Sequence, residues 1–85
     1  MYLHVGNKKI IRVRDVIGIF DMDHTTVSSV TRKFLKEKER QLLSEIAAME
    51  LPKSFILFEE NGLYKVCFSP LSSSALRGRM NQTIV

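Results

Sequence analysis

Cysteine occurs once in these 85 residues, at Cys67. An internal disulfide is therefore excluded, and so is any zinc site built from several cysteines. No aspartate follows Asp23. Glycine stands only singly, at Gly6, Gly18, Gly62 and Gly78, so no glycine-rich loop is available to cradle a phosphate. No apolar run approaches the ~20 residues of a membrane span. The opening MYLHVGNKK lacks the apolar core of a signal peptide. The expectation is a cytoplasmic protein with no membrane partner.

What is present describes one small domain. Hydrophobic residues make up 45% of the chain, enough for a core rather than disorder. A domain of this size buries only about 60–65% of its unfolded surface, a thin margin unless copies associate. The expected organisation is a single domain over 1–80 and a loose tail over 81–85.

Charge is unevenly distributed behind a net +4. Residues 1–14 carry Lys8, Lys9, Arg12 and Arg14 with no acid, and residues 15–23 carry Asp15, Asp21 and Asp23 with no base. Residues 32–40 hold Arg32, Lys33, Lys36, Lys38 and Arg40 against Glu37 and Glu39. Some surfaces are therefore far more basic than the average, which points to an anionic partner.

Short strands are expected over 2–5 and 10–14, with a turn at Gly6-Asn7. A buried β-branched strand follows over 16–20, then a polar loop over 21–26. One helix is expected over about 28–48, capped by Thr26, Ser28 or Ser29 and ended before Leu51-Pro52. Val27, Val30, Phe34, Leu35, Leu42, Ile46, Ala48 and Met49 share its apolar arc, with Lys38 and Glu45 as misfits. Ser54 to Phe68 reads as a hairpin about a type I′ turn at Asn61-Gly62. Its register pairs Glu60 with Leu63, Phe58 with Lys65, Leu57 with Val66 and Phe55 with Phe68. Both hairpin faces are largely apolar, and one helix covers only one, so a neighbouring subunit is expected over the other. The tail carries a short turn or helix at 71–79. The fold class is a small α+β domain: a mainly antiparallel sheet against one long helix, in a symmetric oligomer.

The segment VIGIFDMDHTT resembles the nucleophile strand of a haloacid-dehalogenase-type phosphatase. That chemistry also needs a second acidic pair for magnesium, which no later aspartate supplies, and a doubly wound parallel sheet. Asp21 and Asp23 are better read as charge beside a helix N-terminus. His4, His24 and Cys67 match no metal-ligand spacing. No enzyme activity, cofactor, metal or small-molecule substrate is expected.

The helix carries the stronger signal. Arg32, Lys36 and Arg40 follow at i, i+4 opposite the apolar arc, beside Lys33. Like charges at that spacing repel, and bound phosphates would relieve the repulsion. No aromatic residue interleaves these bases, so a platform for stacked single strands is not indicated. The competing reading is a solvated charged face.

MYLHVGN, VIGIFDMDHTT, VTRKFL, and LPKSFIL followed by SPLSSSALRGRM resemble the small bacterial extracellular-matrix regulator family, RemA and RemB, with RemB the better match. The resemblance covers nearly the whole chain in order. It implies a DNA-binding regulator of biofilm matrix genes whose subunits form closed rings. In the RemA branch the DNA-contacting bases are an arginine just before the central strand and an arginine pair just before the hairpin. Here Asp15 occupies the first position with Arg14 beside it, and Pro52-Lys53 replaces the pair.

The expected function is thus a non-enzymatic transcriptional regulator that contacts the phosphates of double-stranded DNA as a homo-oligomer. The expected contacts are Arg14, Arg32, Lys36 and Arg40, then Lys8, Lys9, Lys53, Arg77 and Arg79. The alternative is an oligomeric interaction or scaffold module that contacts a partner regulator without DNA.

Overall fold

A computed structural model describes residues 1–6, 9–25 and 28–83, with the side chains of 24, 25 and 81–83 left aside. Lys8, Thr26 and Val27 lie outside the described residues. The strands are β1 (Tyr2–His4), β2 (Ile10–Arg12), β3 (Val16–Asp21), β4 (Ser44–Ile46), β5 (Ser54–Glu60) and β6 (Leu63–Ser69). The helices are α1 (Met22–Thr25), α2 (Ser29–Arg40) and α3 (Ser73–Thr83), and a 3-10 turn over Val13–Asp15 links β2 to β3. The described strands form a two-stranded β1-β2 ribbon and a four-stranded sheet in the order β3-β5-β6-β4. Pairing is antiparallel throughout except between β4 and β6, which run parallel.

The β5–β6 hairpin has the expected register, with Glu60 opposite Leu63, Phe58 opposite Lys65, Leu57 opposite Val66 and Phe55 opposite Phe68. Asn61 and Gly62 both have positive φ, 54° and 80°, the backbone of a type I′ turn. Gly62 adopts this at no steric penalty and Asn61 tolerates it.

Alternation along β5 and β6 sends two sets of side chains to opposite faces. One set, with Ile56, Phe58 and Cys67, forms the core together with Leu3, Val5 and Ile11 from the ribbon, Ile19 and Leu76. The ribbon and α3 therefore cover a face for which a neighbouring subunit was expected. Gly6, just after β1, permits a close approach to the chain leaving β4: a Cβ there would stand 2.5 Å from the Ala47 Cβ. Phe55 belongs to the other face, stacked on Phe20 with centroids 5.1 Å apart. On that side Phe34 and Lys38 of α2 and Ile17, Leu57 and Tyr64 of the sheet line a hollow of about 470 Å³.

α2 is shorter than expected. Ser28 caps it, its hydroxyl accepting from the Thr31 N–H at 3.5 Å. It stops at Arg40, and 44–46 form an edge strand instead of further helical turns. The end is a Schellman motif: Leu43 N–H donates to the Lys38 carbonyl at 2.8 Å and Leu42 N–H to that of Glu39 at 3.0 Å. Leu42 takes the left-handed position, φ 61°, where glycine is usual. The two misfits of the apolar arc now have causes. Lys38 lies 5.5 Å from the Phe34 ring centroid. Glu45 belongs to β4 and meets Lys9.

Two smaller differences follow. The segment 21–26, read as loop, contains α1. The C-terminal helix is longer than expected, running from Ser73 to Thr83. Ser72 caps it, its Oγ accepting from the Ala75 N–H at 3.1 Å.

Candidate functional site

The Asp21-Asp23 pair has a local role. Asp21 Oδ1 accepts the Asp23 backbone N–H at 2.8 Å, so its carboxylate caps the start of α1. One oxygen of the would-be nucleophile is thereby directed at its own backbone.

The basic residues of α2 fall on its outer side. No α2 residue is fully buried, and Thr31, Leu35 and Lys38 are the half-buried ones, which marks the sheet-facing side. At 100° per residue, Arg32, Lys33, Lys36 and Arg40 centre roughly 150° from it, and all four are exposed. The row is not wholly uncompensated. Arg40 donates from Nε to Glu37 Oε2 at 3.1 Å and from Nη2 to Glu37 Oε1. That hydrogen bond pushes Arg40 further up and holds Glu37 below the usual carboxylate range. Lys33 and Lys36 are the more outward-acting part of the row.

The other expected contacts divide into two groups. Arg14 is exposed on the 3-10 turn, its Nε 3.6 Å from Asp15 Oδ1. Lys53 is exposed ahead of β5, where its N–H donates to the Ser69 carbonyl at 2.8 Å and its carbonyl accepts from Met22 at 3.0 Å. These two side chains face solvent. The rest are engaged by the fold. Arg77 Nη2 donates to the Ile19 carbonyl at 2.8 Å, and Arg79 Nη1 to the His4 carbonyl at 3.0 Å, pinning α3 to β3 and β1. Lys9 Nζ lies 2.6 Å from Glu45 Oε2 and 5.6 Å from the Phe58 ring centroid. Lys8 lies outside the described residues.

The ribbon and α2 lie against opposite faces of the sheet, so the basic N-terminal block does not extend the α2 row. Its exposed described bases, Arg12 and Arg14, form a second basic ridge of their own. Arg12 belongs to that ridge, exposed and directly opposite Tyr2, and was absent from the expected contacts. The alternation of Ile11 with Arg12 in a short strand was the available signal, because it places Arg12 outward.

Cys67 is fully buried on the core face. Burial pushes its thiol up to about 11, which leaves it protonated and unreactive at neutral pH. Among the described residues no helix is long and apolar enough to cross a membrane.

Together these features define a small α+β domain with an exposed basic helix face and a separate basic ridge. No family model matches the chain. A curated relative does: extracellular matrix regulatory protein B of Bacillus subtilis (strain 168) is 33% identical over 79 residues, spanning 93% of this chain and 89% of the relative. The chain belongs to the RemA/RemB family of extracellular matrix regulatory proteins and matches its RemB branch.

Proposed function

We propose that this protein is a non-enzymatic regulator of extracellular matrix genes that binds duplex DNA as a homo-oligomer through phosphate contacts. The regulatory part of this reading is supported by the relative's name, which describes an extracellular matrix regulatory protein. The DNA part is carried by one observation: Arg32, Lys33 and Lys36 stand on the side of α2 that faces away from the sheet. A helix face with three outward bases and no core residue suits a phosphate backbone. Arg14 and Lys53 are secondary contacts, and Arg40 contributes less because Glu37 shares its charge. Such contacts position a protein on DNA and carry little sequence information themselves. Specificity would come from the ease of bending the duplex around the assembly.

The oligomer is supported by apolar exposure. Val30 is 75% exposed, Leu42 88%, Ile46 71%, Met49 98% and Leu51 87%. Ile46, Met49, Leu51 and Phe68 line a hollow of about 450 Å³ beside the edge strand β4. Apolar surface on this scale marks an association site in a small soluble protein. Repeating the α2 row around a symmetric oligomer converts weak single-patch attraction into avidity. A fluorescence-anisotropy titration of the intact oligomer against labelled duplex, repeated at several salt concentrations, tests the reading. Log affinity should fall steeply with log salt.

A second reading keeps the oligomer and removes the DNA. It is favoured by the engagement of Arg77, Arg79, Lys9 and Arg40 within the fold. The protein would then be a scaffold that contacts a partner regulator, and an intact oligomer with no duplex binding at low salt would establish it.

A further inference from the structure

The N-terminal ribbon offers something that α2 lacks, an aromatic ring beside its bases. Tyr2 and Arg12 are opposed across β1 and β2, both exposed, and Arg14 follows on the 3-10 turn. This trio stands between two hollows. One, of about 440 Å³, also touches Asp15, Glu59 and Glu60, whose carboxylates repel an anion. The other, of about 430 Å³, is lined by Met1, Tyr2, Arg12, Val13 and Arg14, with no carboxylate among them.

The lining of the second hollow specifies a ligand of mixed character. Two guanidinium groups present forked donors suited to phosphate oxygens. Met1, Tyr2 and Val13 supply apolar surface, and the exposed tyrosine ring offers a face on which a planar base stacks. The volume lies within the range of small-ligand sites. The contact between Arg14 and Asp15, 3.6 Å from Nε to Oδ1, is long for a charged hydrogen bond and leaves the guanidinium open to competition by a phosphate.

We infer that this hollow is a binding site for a free mononucleotide, with Arg12 and Arg14 holding the phosphate and the base lying against Tyr2. The site is on the face of the sheet opposite α2 and shares only Arg14, a secondary contact, with the duplex reading that the α2 row carries.

The test is a titration of the full-length protein with AMP at low salt, followed by amide chemical shifts, beside adenosine, ribose 5-phosphate and a short duplex. Expected is saturable AMP binding with shift changes at Tyr2, Arg12, Val13 and Arg14. Adenosine and ribose 5-phosphate should each bind at least about fivefold more weakly. Tyr2→Leu should weaken AMP by at least about fivefold and leave ribose 5-phosphate unchanged. Arg12→Ala combined with Arg14→Ala should abolish AMP binding while the circular dichroism spectrum is kept. Lys36→Glu should leave AMP binding as it is, whatever it does to the duplex. The inference is overturned if AMP fails to saturate up to roughly 10 mM, if ribose 5-phosphate binds as tightly as AMP, if the shifts fall on α2, or if only the duplex binds.

Discussion

Lys9 Nζ and Glu45 Oε2 lie 2.6 Å apart, joining the N-terminal ribbon to the edge strand β4. The oxygen is buried, and the contact lacks the angles of a hydrogen bond, so charge attraction is what compensates it. Removing the lysine leaves a carboxylate oxygen inside the fold without its counter-charge. Lys9→Ala should therefore lower stability by about 1–2 kcal/mol, between the small effect at an exposed pair and the larger one at a fully buried pair. Urea unfolding at fixed protein concentration measures it. A loss below about 0.3 kcal/mol would mean that the pair is solvated.

Leu42 predicts a change in the opposite direction. It holds a left-handed backbone position that closes α2 while its side chain is 88% exposed. Glycine there removes the steric penalty and sacrifices little burial within the subunit, so Leu42→Gly should stabilise the subunit by about 0.5–1 kcal/mol. In a domain of this size that is a rise in Tm of roughly 2–8 °C. If Leu42 is part of a subunit contact, the same change should weaken the oligomer, and mass measurements across a dilution series separate the two effects.

Acid should destabilise through Glu60. Lys65 Nζ donates to Glu60 Oε1 at 2.7 Å and holds the carboxyl below its usual range. A carboxyl lowered in the folded state stabilises at pH values above its unfolded value of 4.5, and that contribution is lost as pH falls through the lower folded value. Glu60→Gln should flatten the stability–pH curve below about pH 4.5 and leave the slope near neutrality unchanged. Thermal melts across that window would show it.

Cys67 gives an alkaline counterpart. Its thiol is raised from 9.0 to about 11 by burial. The unfolded thiol ionises first, so its contribution is complete below about pH 9 and fades as pH rises through the folded value. The native thiol should resist a disulfide reagent at neutral pH and react only at the rate of unfolding. Rapid stoichiometric labelling of the folded protein would contradict its burial.

The hairpin is legible in the chain because its determinants are local. Asn61-Gly62 selects the turn, and the turn sets the register of every pair from Phe55 to Phe68. The end of α2 is not, because Leu42, Ile46 and Met49 continue a 3.6-residue spacing that a short strand and loop happen to share. Glu45, a charge inside an apolar arc, was the one mark of the break. The fates of Arg77 and Arg79 were hidden for another reason. Their partners, the carbonyls of Ile19 and His4, are 58 and 75 residues away, and no spacing rule reaches that far. Exposure of the α2 row followed from periodicity alone, whereas its partial neutralisation by Glu37 depended on which rotamer Arg40 adopts.

The most direct test of the central claim is duplex binding by an Arg32→Glu, Lys36→Glu variant, measured as affinity against salt beside the wild-type protein with oligomer mass recorded for both. Wild-type log affinity should fall linearly with log salt, by about 0.9 per phosphate neutralised. The variant should keep its mass and lose binding. Unchanged affinity and an unchanged salt slope in the variant would contradict DNA binding through α2 and leave its outer face as a solvated surface.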